Sequence, residues 1–274
     1  MRIGTTSFIH PGSWLFNVER LARDFDDVEI LFFEPEGPGA FPDADECRGL
    51  LRCKREHGLS YSLHAPLAAS LASLDEGRRR AGVASVLRAL DAAALLEPEN
   101  VVLHVYHGDA ERDPTPPSDL DAWRERAARS LTAIAASGVG RERLCVELLD
   151  YDYGLIEPVV AELGLSIALD VGHLARDGKD ELAALRQLWA RTRIVQWHGT
   201  DASGRDHRSI EHFPRARALA LLRALLAGGY AGVLTLEVFR SADLDSSRAV
   251  LAGLFAELGA PYPRPRAAAG GARG

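Results

Sequence analysis

Hydrophobic positions along this chain switch repeatedly between two periods. Short apolar runs rich in β-branched residues give way to longer segments whose apolar positions recur every three or four residues, with Gly, Pro and Asp at the joins. Residues 2–8 predict a first strand, and Leu15, Val18, Leu21, Ala22 and Phe25 predict a helix over 14–25. The pair recurs as a strand over 28–34 with a helix that Asp43 caps and that reaches His57. A third strand over 61–66 precedes a helix over 75–96, and a fourth over 100–108 precedes a helix that Ser118 or Asp119 caps and that reaches Ala136. Strands over 143–149, 166–173, 194–199 and 232–239 follow, with helices over 154–163, 179–191, 214–227 and 243–258.

Eight such alternations in about 260 residues, with no long linker between them, have the size and rhythm of a closed parallel barrel. The expected fold is therefore α/β, a single (β/α)8 TIM barrel over residues 1–258. A doubly wound open sheet is the alternative; it fits less well because no G-x-G-x-x-G turn follows any strand. The tail 259–274, made largely of Pro, Ala, Gly and Arg, is expected to be disordered and is given no role.

Composition narrows the function classes. The 274 residues are 47% hydrophobic and 26% charged with a net charge of −7, which argues against an electrostatic nucleic-acid or anionic-membrane surface. An anionic small molecule must then be held by a site. The three cysteines, Cys47, Cys53 and Cys145, form no C-x-x-C pair and suit a reducing compartment. No segment approaches the roughly 18 apolar residues of a membrane span, so the expected location is cytoplasmic, and nothing in the pattern sets an oligomeric state.

Polar residues at the strand ends carry the chemistry. Ser166-Ile-Ala-Leu-Asp170-Val-Gly-His173 is apolar enough for a buried strand yet ends on a carboxylate and an imidazole three positions apart. A buried carboxylate needs backbone donors or a counter-charge, and a cation is the simplest one. The pattern repeats: His64 ends the third strand, His104 and His107 the fourth, Glu147 the fifth, His198 the seventh and Glu237 the eighth. Asp201, Asp206 and His207 follow in the loop after the seventh strand. In a parallel barrel these ends share the C-terminal mouth. Imidazole and carboxylate without thiolate favour Zn²⁺, Mn²⁺ or Fe²⁺, and so many donors imply two or three divalent ions. His10, His57 and His212 are read as structural, Arg78-Arg-Arg80 as a solvated helix start, and Glu34 as a contact either for a substrate hydroxyl or for loop amides.

At these residues the chain resembles the xylose-isomerase-like barrel superfamily, which includes sugar isomerases and epimerases as well as endonuclease-IV-type phosphodiesterases; the resemblance covers residues 1–258. It implies a core metal set of Glu147, Asp170, His198 and Glu237. The phosphodiesterase branch implies two further ligands, His64 and His104, and a third metal on His173 and an Asp-x-His pair. Here Asp206 and His207 are adjacent, so either one alone is a candidate. Epimerases of the superfamily usually carry an arginine and Pro-Gly after the strand-seven histidine, and the loop here, Gly-Thr-Asp-Ala-Ser-Gly-Arg-Asp-His-Arg, lacks the Pro-Gly.

More narrowly, residues 3–9, Glu29-Ile-Leu-Phe-Phe-Glu34, His64-Ala-Pro-Leu, Asp170-Val-Gly-His173 and the Gly-Arg-Asp-His loop together look like cobamide-remodelling phosphodiesterases. That likeness implies hydrolysis of the nucleotide-loop phosphodiester of a cobamide, with Glu147 and Glu237 catalytic and Glu34, His107 and Arg205 near the substrate. The alternative is a metal-dependent isomerase or epimerase in which Glu147 and Glu237 move a proton on and off a sugar carbon. A barrel that binds a cobamide or sugar without chemistry is a third reading.

Overall fold

The computed structural model describes residues 1–33, 39–107 and 117–263. Glu34, the loop after His107 and the tail from residue 264 lie outside the described residues. Eight strands close a parallel barrel in sequence order: β1 (Arg2–Thr6), β2 (Asp27–Leu31), β3 (Ser60–His64), β4 (Asn100–Leu103), β5 (Leu144–Glu147), β6 (Ser166–Asp170), β7 (Thr192–Trp197) and β8 (Val233–Leu236), with β8 pairing back onto β1. The helices are α1 (Trp14–Leu21), α2 (Ala44–His57), α3 (Glu76–Ala93), α4 (Leu120–Ala135), α5 (Glu157–Leu163), α6 (Val171–Arg176), α7 (Glu181–Leu188), α8 (Arg215–Ala227) and α9 (Ser241–Glu257). Among the described residues no helix is long and apolar enough to cross a membrane.

Local chemistry starts these helices where the sequence signals it. Asp43, Asp75, Asp119 and Asp180 each accept a hydrogen bond from an amide of the first turn, satisfying donors that the helix cannot pair itself. Gly58 and Gly164 close α2 and α5 in the left-handed conformation.

Several boundaries differ from the sequence expectation, β7 and β8 among them, which end at Trp197 and Leu236 and leave His198 and Glu237 just beyond. β4 ends at Leu103, so His104 and His107 stand on the loop beyond it. The sixth strand ends at Asp170, whose carboxylate caps the unexpected α6, and His173 sits in that helix's first turn. A helix of six residues is too short to show a period in hydrophobicity. At the other end, residues 259–263 continue the packed chain, with Tyr262 against Phe255 at 5.2 Å between ring centroids.

Strand register separates two environments. Leu31 pairs with His64, His64 with Val102, Glu147 with Ala168, and Asp170 with Gln196, and such partners share the inner face of the sheet. Val102, Cys145, Ala168 and Ile194 form a small apolar cluster inside the barrel, separate from the large core between sheet and helices. One inward step higher stand His104, Glu147 and Asp170 with Gln196, and His198 follows one step above Gln196.

Candidate metal centre

Six of the expected residues are buried at this mouth: His64, His104, Glu147, Asp170, His198 and Glu237. Four overlapping groups of donor atoms, each within 4.8 Å, run around it: His64, His104 and Glu147; Glu147, Asp170 and His173; Asp170, His198 and Glu237; and His173, His198 and His207. Glu147 belongs to the first two and so joins the two flanks of the centre.

On the first flank the imidazoles are already bonded. His104 Nε2 donates to Glu147 Oε2 at 2.8 Å while its Nδ1 bonds the Tyr106 hydroxyl, and His64 Nε2 lies 3.4 Å from the same carboxylate oxygen. His64 Nδ1 donates to the Ala65 carbonyl at 2.9 Å, which fixes the ring with Nε2 facing the cavity. Burial works against charge on His64, but the hydrogen bond and charge of Glu147, with Glu29 nearby, push it up to about 9. Burial likewise opposes ionisation of Glu147, and His104 and His64 outweigh it, so the carboxyl is held well below the usual range.

On the second flank, donor atoms approach without bonding. His173 Nδ1 is 3.0 Å from Asp170 Oδ2 and 3.7 Å from Glu147 Oε1, and His198 Nε2 is 3.3 Å from Asp170 Oδ1. Yet Asp170 Oδ2, both ring nitrogens of His173, His198 Nε2 and Glu237 Oε2 are buried with no hydrogen-bond partner. Atoms aimed at one another at such distances but not aligned to bond are suited to a shared third centre. Electrostatics agree. Burial and the carboxylates of Asp170, Glu147 and Glu29 push Glu237 well above its ordinary range, whereas burial and His198 hold His207 down to about 3, leaving it in the neutral, ligating form. A divalent cation relieves the first and uses the second. The residues present therefore fit the group that their chemistry implies.

The loop after β7 folds back to deliver the last donors. Gly199 and Arg208 exchange backbone hydrogen bonds of 2.8 and 3.1 Å, and Asp201 accepts from the amides of Ser203 and Arg205. His207, in the left-handed region at φ 52°, lays its ring on His198 at 4.2 Å, and its amide lies 3.1 Å from His198 Nδ1. That nitrogen is also 3.2 Å from the Gly199 carbonyl; donation there is the tautomer that leaves a lone pair on Nε2 for a cation. Asp206 Oδ2 reaches within 3.9 Å of His173 Nε2 and accepts from Arg176 at 2.8 Å, so adjacent Asp206 and His207 both approach His173. Gly172 makes room below: a Cβ there would stand 2.5 Å from the His198 ring.

Two expected substrate contacts lie elsewhere. Arg205 is exposed and bonded to Asp201 and Ser203, outside the cavity wall, because the Asp201 turn directs it outward. His107 packs on Tyr151 and Trp123, at 4.0 and 5.2 Å between ring centroids, and is not part of that wall either. The wall instead includes Arg176, Tyr106, Asp150, Phe33 and Phe239 beside the metal-type ligands. Arg176 was hidden because α6, which carries it one turn from His173, was not anticipated. Glu29 was also missed. It is fully buried on β2 with both carboxylate oxygens unpartnered, and burial, opposed by His64 and joined by the carboxylates of Glu147, Asp27 and Asp170, raises it to about 8. An acid inside an apolar strand was the same signal that singled out Glu147.

A closed parallel barrel whose mouth gathers buried acids and imidazoles defines a (β/α)8 barrel with groups that could hold divalent metal ions. The chain belongs to the xylose isomerase-like TIM barrel family, whose model matches residues 19–256. No curated protein sequence matches it significantly. Among solved structures it is similar to a D-tagatose 3-epimerase-like protein, with TM-score 0.76 and 19% identity over 94% of this chain and 98% of that one. It is also similar to 3-keto-D-glucoside 4-epimerase from E. coli, with TM-score 0.69 and 20% identity over 93% and 99%. Endonuclease IV from Thermus thermophilus aligns at TM-score 0.69 and 22% identity over 92% and 100%. At these identities the likeness establishes the fold, and activity has to be argued from the site.

Proposed function

We propose that the protein is a divalent-metal-dependent phosphodiester hydrolase, with a cobamide as its substrate class. The observation that carries this reading is Glu147, shared between a His64–His104 flank and an Asp170–His173 flank, since one ion in a sugar isomerase needs only one such set. Bound ions would supply a water of lowered pKa and positive charge for phosphate oxygens, with Zn²⁺, Mn²⁺ and Fe²⁺ all compatible with these ligands. His64, His104, Glu147, Asp170, His173, His198 and Glu237 would hold them, with His207 or Asp206 completing the outer position. Tyr106 and Ala65 orient the two imidazoles of the first flank, and Asp170 joins the amide of His173 at 2.8 Å to the second. Glu147 and Glu237 face the reacting centre, where a carboxylate can take or return a proton. The cobamide assignment rests on the sequence likeness at residues 3–9, 29–34, 64–67, 170–173 and 204–207.

A second reading is a one-metal sugar isomerase or epimerase on Glu147, Asp170, His198 and Glu237. The epimerases among the structural neighbours favour it, and it makes His64 and His104 mere orienters of Glu147. Incubating metal-loaded protein with a cobamide and, separately, with a panel of ketoses separates the two by mass. Hydrolysis breaks a P–O bond and splits the cobamide into two products whose masses sum to the parent plus one water; epimerisation leaves sugar mass unchanged and alters stereochemistry. Turnover of a ketose with an intact cobamide would replace the first reading with the second.

A further inference from the structure

We infer that Phe8, Phe33 and Phe239 form a stacking site for a planar aromatic ring carried by the substrate beside its phosphoester. Phe8 follows β1, Phe33 follows β2 and Phe239 follows β8, three neighbouring strands, so the rings occupy one sector of the mouth. Phe8 lies 4.5 Å from Phe33 and 6.4 Å from Phe239 between centroids, and Phe33 lies 6.4 Å from Phe239. Phe8 is nevertheless 50% exposed, one of few large apolar side chains so placed among the described residues. Phe8 does not itself line the cavity; it packs on Phe33 and Phe239, which do, and a half-exposed phenyl group so placed is covered when a ligand extends over the two lining rings.

Continuity with the metal centre identifies that ligand. Phe239 lies 4.7 Å from His207 at 32° between planes, and His207 lies 4.2 Å from His198 at 34°, so a column of tilted rings runs from rim to ligand set. Phe33 and Phe239 line the same cavity as His64, Glu147 and Glu237, and Leu31, Phe32, Leu67 and Leu149 extend its apolar wall. A molecule with its phosphate at the ions places its next group against phenyl faces. An extended polyol would lose hydration there without gaining hydrogen bonds, whereas a flat ring gains stacking. The inference rests on the phosphoester reading for the phosphate end of the ligand only.

Equilibrium binding to metal-loaded protein tests it with three probes: methyl phosphate, 1-naphthyl phosphate and 1-naphthol. Stacking should make 1-naphthyl phosphate about tenfold or more tighter than methyl phosphate. The Phe8→Ala/Phe33→Ala double variant, checked for fold by circular dichroism and for metal by elemental analysis, should bring that ratio close to one. Equal affinity of the two phosphates in the parent, or a ratio unchanged in the variant, overturns the ring site and leaves the phosphoester reading intact. Absence of metal-dependent methyl phosphate binding removes the phosphoester reading, and the ring site is then judged by 1-naphthol alone: weaker binding in the double variant supports it, equal binding overturns it. A parent dimer that the double variant converts to monomer would make the rim a subunit contact and overturn the inference too.

Discussion

The two flanks of Glu147 use the same residue types in opposite ways. On the His64–His104 flank His104 is bonded on both sides, to Glu147 and Tyr106, and His64 is bonded to Ala65 with its Nε2 3.4 Å from Glu147, so every imidazole in this half has a hydrogen-bond partner. On the Asp170–His198–Glu237 flank, buried nitrogens and oxygens stand 3.0 to 3.3 Å apart without bonding. The contrast separates a site that tolerates the loss of its ion from one that needs it. A buried polar group without a partner costs about 1–3 kcal/mol, more if charged, so the second flank gains most from a cation. The first flank decides how many ions there are.

The largest expected effect breaks both flanks together. Glu147→Ala should lower bound metal and reduce turnover by about 10³-fold or more, as loss of a shared ligand and of proton transfer combine; activity assays and elemental analysis check it. Next, His198→Ala should remove metal from the second flank alone and cost about 10²-fold or more in turnover, while His104 keeps its hydrogen bond to Glu147 and His64 its bond to Ala65. A smaller loss, about 10- to 100-fold in metal affinity, is expected for Gly172→Ala, since its Cβ would displace the His198 ring without removing any ligand. Metal titration of the folded variant measures it, and an unchanged affinity would mean that the ring position is not what matters.

The smallest effect on the metal centre is a control from below the mouth. Asp27, one inward position beneath Glu29, is pushed up to about 6 by burial, with Ser60 and Arg2 opposing. The folded chain therefore holds this proton more tightly than the unfolded chain, whose carboxyl titrates near 4. Stability from this group is present below about pH 4 and is lost as pH rises to about 6. Asp27→Asn should flatten that fall, a difference of up to about 3 kcal/mol between variant and parent across the window, with metal content unchanged. Denaturant unfolding at pH 4.5 and 7 gives the comparison.

Much of the barrel was legible because its signals are local: apolar strands, helical spacing and the capping residues Asp43 and Asp119. The residues brought together at the mouth were legible because burying Glu147 or Asp170 in an apolar strand demands compensation. What escaped depends on relations that one sequence does not print. The α6 helix is shorter than two periods, so Arg176 could not be aligned with His173. The outward turn of Arg205 is set by Asp201 accepting loop amides, and the aromatic rim exists only once β8 closes on β1.

Elemental analysis of the metal-loaded parent beside the His64→Ala/His104→Ala double variant tests the central claim most directly. Two or three ions per chain in the parent, with at least one fewer and about 10²-fold less phosphodiester hydrolysis in the variant, is the outcome expected of a multinuclear centre built across Glu147. One ion per chain in both proteins would contradict it and leave the single-metal isomerase.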